Sequence, residues 1–373
     1  MNILGIETSC DETAAAVVRD GREVLSSVVF TQIPLHSPYG GVVPEIASRA
    51  HVEKIGPVVG EAMERFRALG AGEIDEVAVT YGPGLSPALL VGLNAAKGLA
   101  KALGVPVVGM NHIEGHLHSP FIRDAGRDFS DLPDPVESCP ALGLVVSGGN
   151  TVWVDMPEYG RYEVVGETLD DAAGEAFDKA AKMLGLGYPG GLKIDRISQA
   201  YAAERGRGDL IPFPKGRPRE GVSALAGLPA GLCVSFSGLK TALLRYLQRE
   251  GAALSAGERR NYGGYEVTPE TARVAASYQE AIAQALADRT RAALARGRYR
   301  SFILGGGVSL NSRVREVLSS VCAEAGVRIV MAEAKFTGDN GAMIAALAYY
   351  RRNRGEDASL LDADPGLEIG GHR

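Results

Sequence analysis

Ala141-Leu142-Gly143-Leu144-Val145-Val146-Ser147-Gly148-Gly149-Asn150-Thr151-Val152-Trp153-Val154-Asp155-Met156 is the stretch from which the fold can be read. Residues 141–147 form an apolar run of strand length, Gly148-Gly149-Asn150 supplies a turn, and 151–156 continue as a second strand. A third strand fits 161–166. The chain has already opened in this way. Residues 2–7 and 13–19 read as strands joined by the polar turn Thr8-Ser9-Cys10-Asp11-Glu12, and a third strand fits 24–31. Each opening leads later to strand, glycine-rich loop and helix: 77–98 through Gly82-Pro83-Gly84, and 302–321 through Gly305-Gly306-Gly307. The match lies in the order of elements, not in residue identity. Units of this kind are common in α/β proteins, so the pattern alone leaves duplication and coincidence both open.

Outward from these anchors, helical periods fit 45–69, 86–103, 171–184, 192–205, 238–248, 269–296 and 309–325. Thr268 is the expected N-cap of the longest, with Pro269 at its first position. Strands fit 76–81, 105–110, 301–304 and 327–331, and a last helix starts near Asn340. Residues 124–140 and 206–231 read as loops. Two lobes around a cleft would bring the glycine turns at 82–84, 148–149 and 305–307 to the C-terminal ends of strands. Open α/β sheets bind ligands there.

The chain of 373 residues is long enough for two sizeable cores, and 48 glycines with 6% aromatics suit many tight strand-to-helix turns. The net charge of −6 excludes a polycation, so any nucleic acid must meet a local patch or a partner. Cys10, Cys139, Cys233 and Cys322 are far apart, which argues against a disulfide framework or a cysteine zinc site. No signal-peptide pattern opens the chain, and no apolar run reaches the ~18 residues of a membrane span. The expectation is a soluble, reduced, cytoplasmic protein.

His112-Ile113-Glu114-Gly115-His116 follows the strand at 105–110. On a helix the two imidazoles share a face one turn apart and can grip a divalent metal. Glu114 lies about 200° around the helix from His112, not adjacent to it as in the zinc-protease pattern, so protease chemistry is disfavoured. Spacing alone leaves metal binding and two incidental histidines open. Asp339, in Thr337-Gly338-Asp339-Asn340-Gly341, is either a helix cap or a third ligand, giving a His₂-carboxylate set.

Asp171, Glu175 and Asp178 fall at i, i+4 and i+7, a face that needs a cation or donors opposite it, unless it is solvated. The glycine turns at 147–151 and 305–309 can bring backbone N–H groups close to an anion, although neither has Walker A or GxGxxG spacing. Asn311 is expected one turn into the following helix. Cys10 lacks a neighbouring base, so a nucleophilic role is disfavoured. Arg205, Arg207, Lys215, Arg217 and Arg219, and Arg291, Arg296, Arg298 and Arg300, are candidate phosphate-backbone contacts.

Taken together, Ile6–Thr13, Tyr39–Glu45, Gly82–Leu85, His112–His116, Val146–Gly149, Asp170–Lys179, Tyr188–Gly191, Ser235–Thr241, Gly305–Val308 and Thr337–Gly341 resemble the bacterial TsaD family in its order. The resemblance implies an actin/Hsp70/sugar-kinase-like (ASKHA) fold: a duplicated two-lobe α/β architecture with a nucleotide cleft. On that reading 1–108 form an N-terminal lobe, and 109–339 form a C-terminal lobe with the metal and nucleotide site. The helix at 340–354 packs back on the first lobe, and 355–373 form a tail without periodicity, expected to be loosely held.

The implied activity is transfer of threonylcarbamoyl from threonylcarbamoyl-AMP to N6 of adenosine 37 in tRNAs reading codons that start with A. The resemblance places one divalent metal, Fe(II) with zinc as the alternative, on His112, His116 and Asp339. It places the adenylate on Val145, Val146, Ser147, Gly148, Gly149, Asp178, Gly191, Asp195 and Asn311. Asp11 or Glu12 is the candidate acceptor of the N6 proton. TsaB-like and TsaE-like partners, tRNA, and a TsaC-type enzyme as source of the adenylate are implied as well. Two rival readings are a non-catalytic nucleotide-binding subunit and a small-molecule carbamoyltransferase. The chain departs from many relatives at Asn150 and Asn111, where histidines are common, and is longer around 123–140 and 250–266.

Overall fold

The apolar residues of the opening strand divide between two faces, as a strand buried on both sides requires. Leu4 and Ile6 enter one core and Ile3 another. The computed structural model describes residues 1–218, 227–255, 257–351 and 361–370. In its first half, β1 (Asn2–Glu7), β2 (Glu12–Arg19) and β3 (Glu23–Thr31) form an antiparallel meander. The short α1 (Ile33–His36) and long α2 (Pro44–Ala68) lead to β4 (Glu76–Gly82), α3 (Ser86–Leu103) and β5 (Val107–Asn111). β4 pairs in parallel with β1, and β5 with β4. Next come α4 (His112–His118) and the two-residue β6 (Arg123–Asp124), which gives the sheet order β5-β4-β1-β2-β3-β6.

The second half starts again with the meander β7 (Ala141–Val146), β8 (Thr151–Met156) and β9 (Glu163–Glu167). It continues through α5 (Ala173–Met183), α6 (Gly191–Arg205), α7 (Ser237–Ser255) and the hairpin β10 (Arg260–Tyr262) and β11 (Tyr265–Val267). It closes with α8 (Pro269–Leu294), β12 (Ser301–Gly305), α9 (Ser312–Ala325), β13 (Arg328–Met331) and α10 (Gly341–Arg351). The order β13-β12-β7-β8-β9 repeats β5-β4-β1-β2-β3, with the same pairs parallel and antiparallel. The duplication that the pattern left open is therefore present in the sheets, and the fold is a two-lobe α/β architecture in which one sheet is built twice.

Each half sends its last helix to the other. α10, the end of the second half, packs on β1 and β2, and α4, the end of the first, packs on β7 and β12. Glycines admit both helices. A Cβ at Gly5 would collide with Gly341 O, and one at Gly305 with His116 O. α4 and α10 also touch each other, so the two helices fill the space between the sheets. Among the described residues, no helix is long and apolar enough to cross a membrane.

Several local expectations change. α5 begins at Ala173, so Asp171 precedes it and does not share its face. A 3₁₀ turn over Gly307–Leu310 precedes α9, and Asn311 is the N-cap of α9, accepting from Arg313 N at 3.1 Å and Val314 N at 3.0 Å. α7 runs on to Ser255, and a hairpin occupies part of 250–266. Thr268 caps α8 as expected, accepting from Thr271 N at 3.2 Å. The tail is not loose over 361–370: Leu361 and Leu367 are buried in the core of the first half.

Candidate active site

β5 delivers the chain to α4 without an intervening loop, because Asn111 ends the strand and caps the helix. Its Oδ1 accepts from Ile113 N at 2.8 Å and Glu114 N at 3.3 Å. Asn111 thus serves the backbone rather than the metal group. His112 and His116 then share the face turned to the cleft. Their Nε2 atoms lie 3.7 Å and 3.1 Å from Asp339 Oδ1. Asp339 does not cap the last helix. Asn340 does, accepting from Met343 N at 2.9 Å, which leaves Asp339 to the histidines.

Glu7, which sequence reasoning passed over, completes this group. Its Oε2 lies 3.1 Å from His112 Nδ1 and accepts from Thr80 Oγ1 at 2.5 Å, while its Oε1 accepts from Ser9 N at 2.5 Å. A carboxylate on Nδ1 fixes the imidazole proton there and turns the Nε2 lone pair outward, the usual support for a metal-bound histidine. The available signal was a charged residue ending an otherwise apolar strand, Ile3-Leu4-Gly5-Ile6-Glu7. Burial lowers the affinity of His112 for its proton, but the Asp339 and Glu7 charges prevail and raise its pKa to about 9. For Asp339 burial acts upward, and His112 and His116 outweigh it, giving about 2.

The donor set fits a divalent cation. His112, His116 and Asp339 each offer a ligand atom, all within 4.8 Å of one another. His116 is fully buried, and its Nδ1 has no hydrogen-bond partner among the described residues. With neutral imidazoles, buried Glu7 and partly buried Asp339 leave two negative charges beside His112, and a dication balances them. Glu114 points away, as its helical position requires. It is buried, paired with Arg351, and accepts from Gly370 N at 3.2 Å.

Two cavities meet in front of the metal group. One, of about 410 Å³, is lined by Asp11, Glu12, His112, Gly148, Gly307 and Asp339 among others. The second, of about 290 Å³, is lined by Phe177, Asp178, Gly191, Asp195, Val308 and Asn311 among others. Gly148 and Gly307 belong to both. A Cβ at Gly148, Gly149 or Gly307 would meet nothing within 4 Å, so the backbone there is open to a ligand. Gly306, at φ 89°, makes the bend that exposes Gly307.

The expected adenylate residues separate into two groups. Gly148 and Gly149, with Ser147, line the first cavity; Asp178, Gly191, Asp195 and Asn311 line the second. Val145 and Val146 are fully buried in β7, in cores on opposite faces, and serve to carry the turn. Asp178 Oδ1 accepts from Gly190 N at 2.6 Å, and burial raises its pKa. Asp195 accepts from Gln199, Gln279 and Ser312 and so ties α6 to α8 and α9.

Asp11 and Glu12 sit at the far wall of the first cavity. Burial, then Asp11 and Asp339, raise the Glu12 pKa well above the carboxylate range. Burial and the same acids also push up the Cys10 thiol, which removes it as a nucleophile at neutral pH. The acidic stretch finds its cations: Lys179 lies 2.7 Å from both Asp171 and Glu175, and Lys240 lies 3.1 Å from Asp171. Among the basic residues, Arg207 pairs with Glu316, Arg291 pairs with Glu324, and Lys215 and Arg217 are exposed. Arg219 lies outside the described residues.

A family model described as tRNA N6-adenosine threonylcarbamoyltransferase (TsaD) matches residues 23–346. The chain belongs to the TsaD family. A relative of that name from Clostridium botulinum (strain 657 / Type Ba4) is 44% identical over 371 residues, covering 99% of this chain and 98% of the relative. Another, from Anaeromyxobacter dehalogenans (strain 2CP-C), is 46% identical over 369 residues, covering 98% and 99%. Among solved structures, component A of Acidaminococcus fermentans (R)-2-hydroxyglutaryl-CoA dehydratase aligns with a TM-score of 0.48 at 12% identity, covering 95% of this chain and all of that one. The TsaD match takes in the histidine helix, both glycine turns and Asp339.

Proposed function

We propose that this chain transfers a threonylcarbamoyl group from threonylcarbamoyl-AMP to N6 of adenosine 37 in tRNAs that read codons beginning with A. The observation that carries the reading is the joined pair of cavities. One holds the His-His-Asp group and the acidic turn, the other is a recess bordered by Phe177 and Asn311, and the open glycines lie between them. That order matches acyl group, phosphate and nucleoside in an acyl-adenylate. The name shared by the relatives points to the same reaction.

His112, His116 and Asp339 would hold the divalent ion, Fe(II) on the expected assignment and zinc as the alternative, whose chemistry is that of a Lewis acid toward a carbonyl oxygen. Glu7 holds the proton on His112 Nδ1 and so keeps Nε2 free. Gly148, Gly149 and Gly307 let the phosphate, the leaving group, approach the main chain, where N–H dipoles stabilise its charge. Adenine N6 is a weak nucleophile, so its alignment in the cleft matters more than a strong base. Asp11 or Glu12, on the wall of the first cavity, accepts the proton released from N6, and burial with the neighbouring Asp11 raises the proton affinity of Glu12.

With a net charge of −6, the chain shares the tRNA surface with partners, the TsaB-like and TsaE-like proteins, in the cytoplasm. A TsaC-type enzyme supplies the adenylate. The test is mass spectrometry of nucleosides from tRNA incubated with this chain, those partners, threonine, bicarbonate and ATP. N6-threonylcarbamoyladenosine at position 37 is expected, and its absence refutes the proposal.

A further inference from the structure

Residues 361–370 run as a strap from the first half to the histidine helix. Leu361 and Leu367 are buried in the core around β4, Asp364 N donates to Tyr81 O at 2.8 Å, and Gly84 N donates to Pro365 O at 3.3 Å. Glycines shape the groove it lies in. A Cβ at Gly82 would strike Asp364 O, and one at Gly109 would strike the Leu361 side chain. Pro365 forms part of the wall of the 410 Å³ cavity.

Beyond that wall the strap grips α4. Glu368 O accepts from Asn111 Nδ2 at 3.0 Å, while the other end of the same amide caps the helix. Gly370 N donates to Glu114 Oε1 at 3.2 Å, and Glu114 is paired with Arg351 at the end of α10. Ile369 packs against the inner core of the second half. α4 has only seven residues, too few to set its own direction, so its neighbours must do so.

We propose that the strap is a positioning element of the metal site. By holding Asn111 and Glu114 it sets the first turn of α4, and with it the aim of His112 and His116 at Asp339. This rests on the metal assignment given above. A strap that served only as apolar cover would lower the melting temperature on removal and leave metal affinity unchanged.

The test uses Co²⁺ as the probe, read by its visible absorption and by competition with a chelator, on chain ended at residue 360 and on full-length Asn111→Ser. Serine keeps an oxygen acceptor for the helix cap and removes the amide donor to Glu368. The shortened chain is expected to bind Co²⁺ at least about tenfold more weakly, with a synthetic 361–373 peptide restoring affinity, and Asn111→Ser about three- to tenfold more weakly at an unchanged melting temperature. A folded shortened chain with wild-type Co²⁺ affinity overturns the proposal. Should shortening prevent folding, Asn111→Ser decides, and wild-type affinity there overturns it. His112→Ala is run alongside. If that variant keeps wild-type affinity, the metal assignment itself fails and the role of the strap falls with it.

Discussion

β1 and β7 are one strand built twice, and they end differently. Each carries a glycine under a crossing helix, Gly5 against Gly341 and Gly143 against Leu117. Counting two residues on from these glycines, the first half has Glu7 and the second has Val145, both fully buried. The turns that follow diverge further: Ser9-Cys10-Asp11-Glu12 carries carboxylates, and Ser147-Gly148-Gly149-Asn150 carries bare backbone. The later loops repeat the contrast. Gly82, at the end of β4, lies against the strap, whereas Gly307, after β12, faces open space. Duplication thus supplies two equivalent sets of strand ends facing one cleft. One set has been given charge and closed over; the other has been kept small and open. The first suits the reacting group and the second suits a phosphate.

The two halves differ most in consequence at the metal group. Asp339→Ala and His112→Ala should each lose bound metal and lower the transfer rate by about a hundredfold or more, as read by metal content and by modified nucleoside formed per minute. Glu7→Gln tests the asymmetry with Val145: a neutral amide still fits but no longer fixes the imidazole proton. Metal affinity should fall about ten- to a hundredfold, with the fold retained by circular dichroism.

The two glycine loops give a paired test. Gly307→Val fills open space between the cavities and should raise the KM for the adenylate about tenfold while leaving the melting curve in place. Gly82→Ala meets the strap instead, and should cost about 1–3 kcal/mol of stability in denaturant titrations. Equal effects of the two substitutions on KM would remove the distinction between a filled and an open loop.

A pH effect on stability is expected at His51, in the first half. Fully buried His51 lies 3.0 Å from Cys10 O and 2.8 Å from Thr13 Oγ1, so as a neutral ring it donates from Nε2 and accepts at Nδ1. Burial lowers its pKa below the ordinary 6.5. The unfolded chain then binds a proton that the folded chain refuses, so the full contribution is present above about pH 6.5 and is lost as pH falls toward the folded pKa. His51→Gln should flatten the acid limb of stability against pH, by at most about 1.4 kcal/mol per pH unit. The smallest effect is expected at Asn150, part-exposed on the open turn: Asn150→His should change the rate less than about threefold.

Much of this was legible from residue order. Apolar runs of strand length and glycines at their ends gave both meanders, because a strand buried on two faces leaves little choice of residue. The histidine pair was legible because helical spacing fixes which side chains share a face. The cap residues were not. Asp339 and Asn340 are both short polar groups before a helix, and only the three-dimensional position of the histidines decides which one caps and which one faces the site. Asn311 was displaced in the same way by a 3₁₀ turn that pattern reading merges with the helix. The strap had no periodicity to read, since two leucines and a few backbone hydrogen bonds hold it.

If one metal, held where the two halves meet, is required for transfer to adenosine, titrating metal-free protein with Fe(II) under anaerobic conditions, in the presence of partners, adenylate and tRNA, will reveal it. The modified adenosine should rise linearly with metal and break at one ion per chain, and Asp339→Ala should stay flat throughout. Full-rate modification by the metal-free chain would contradict the account.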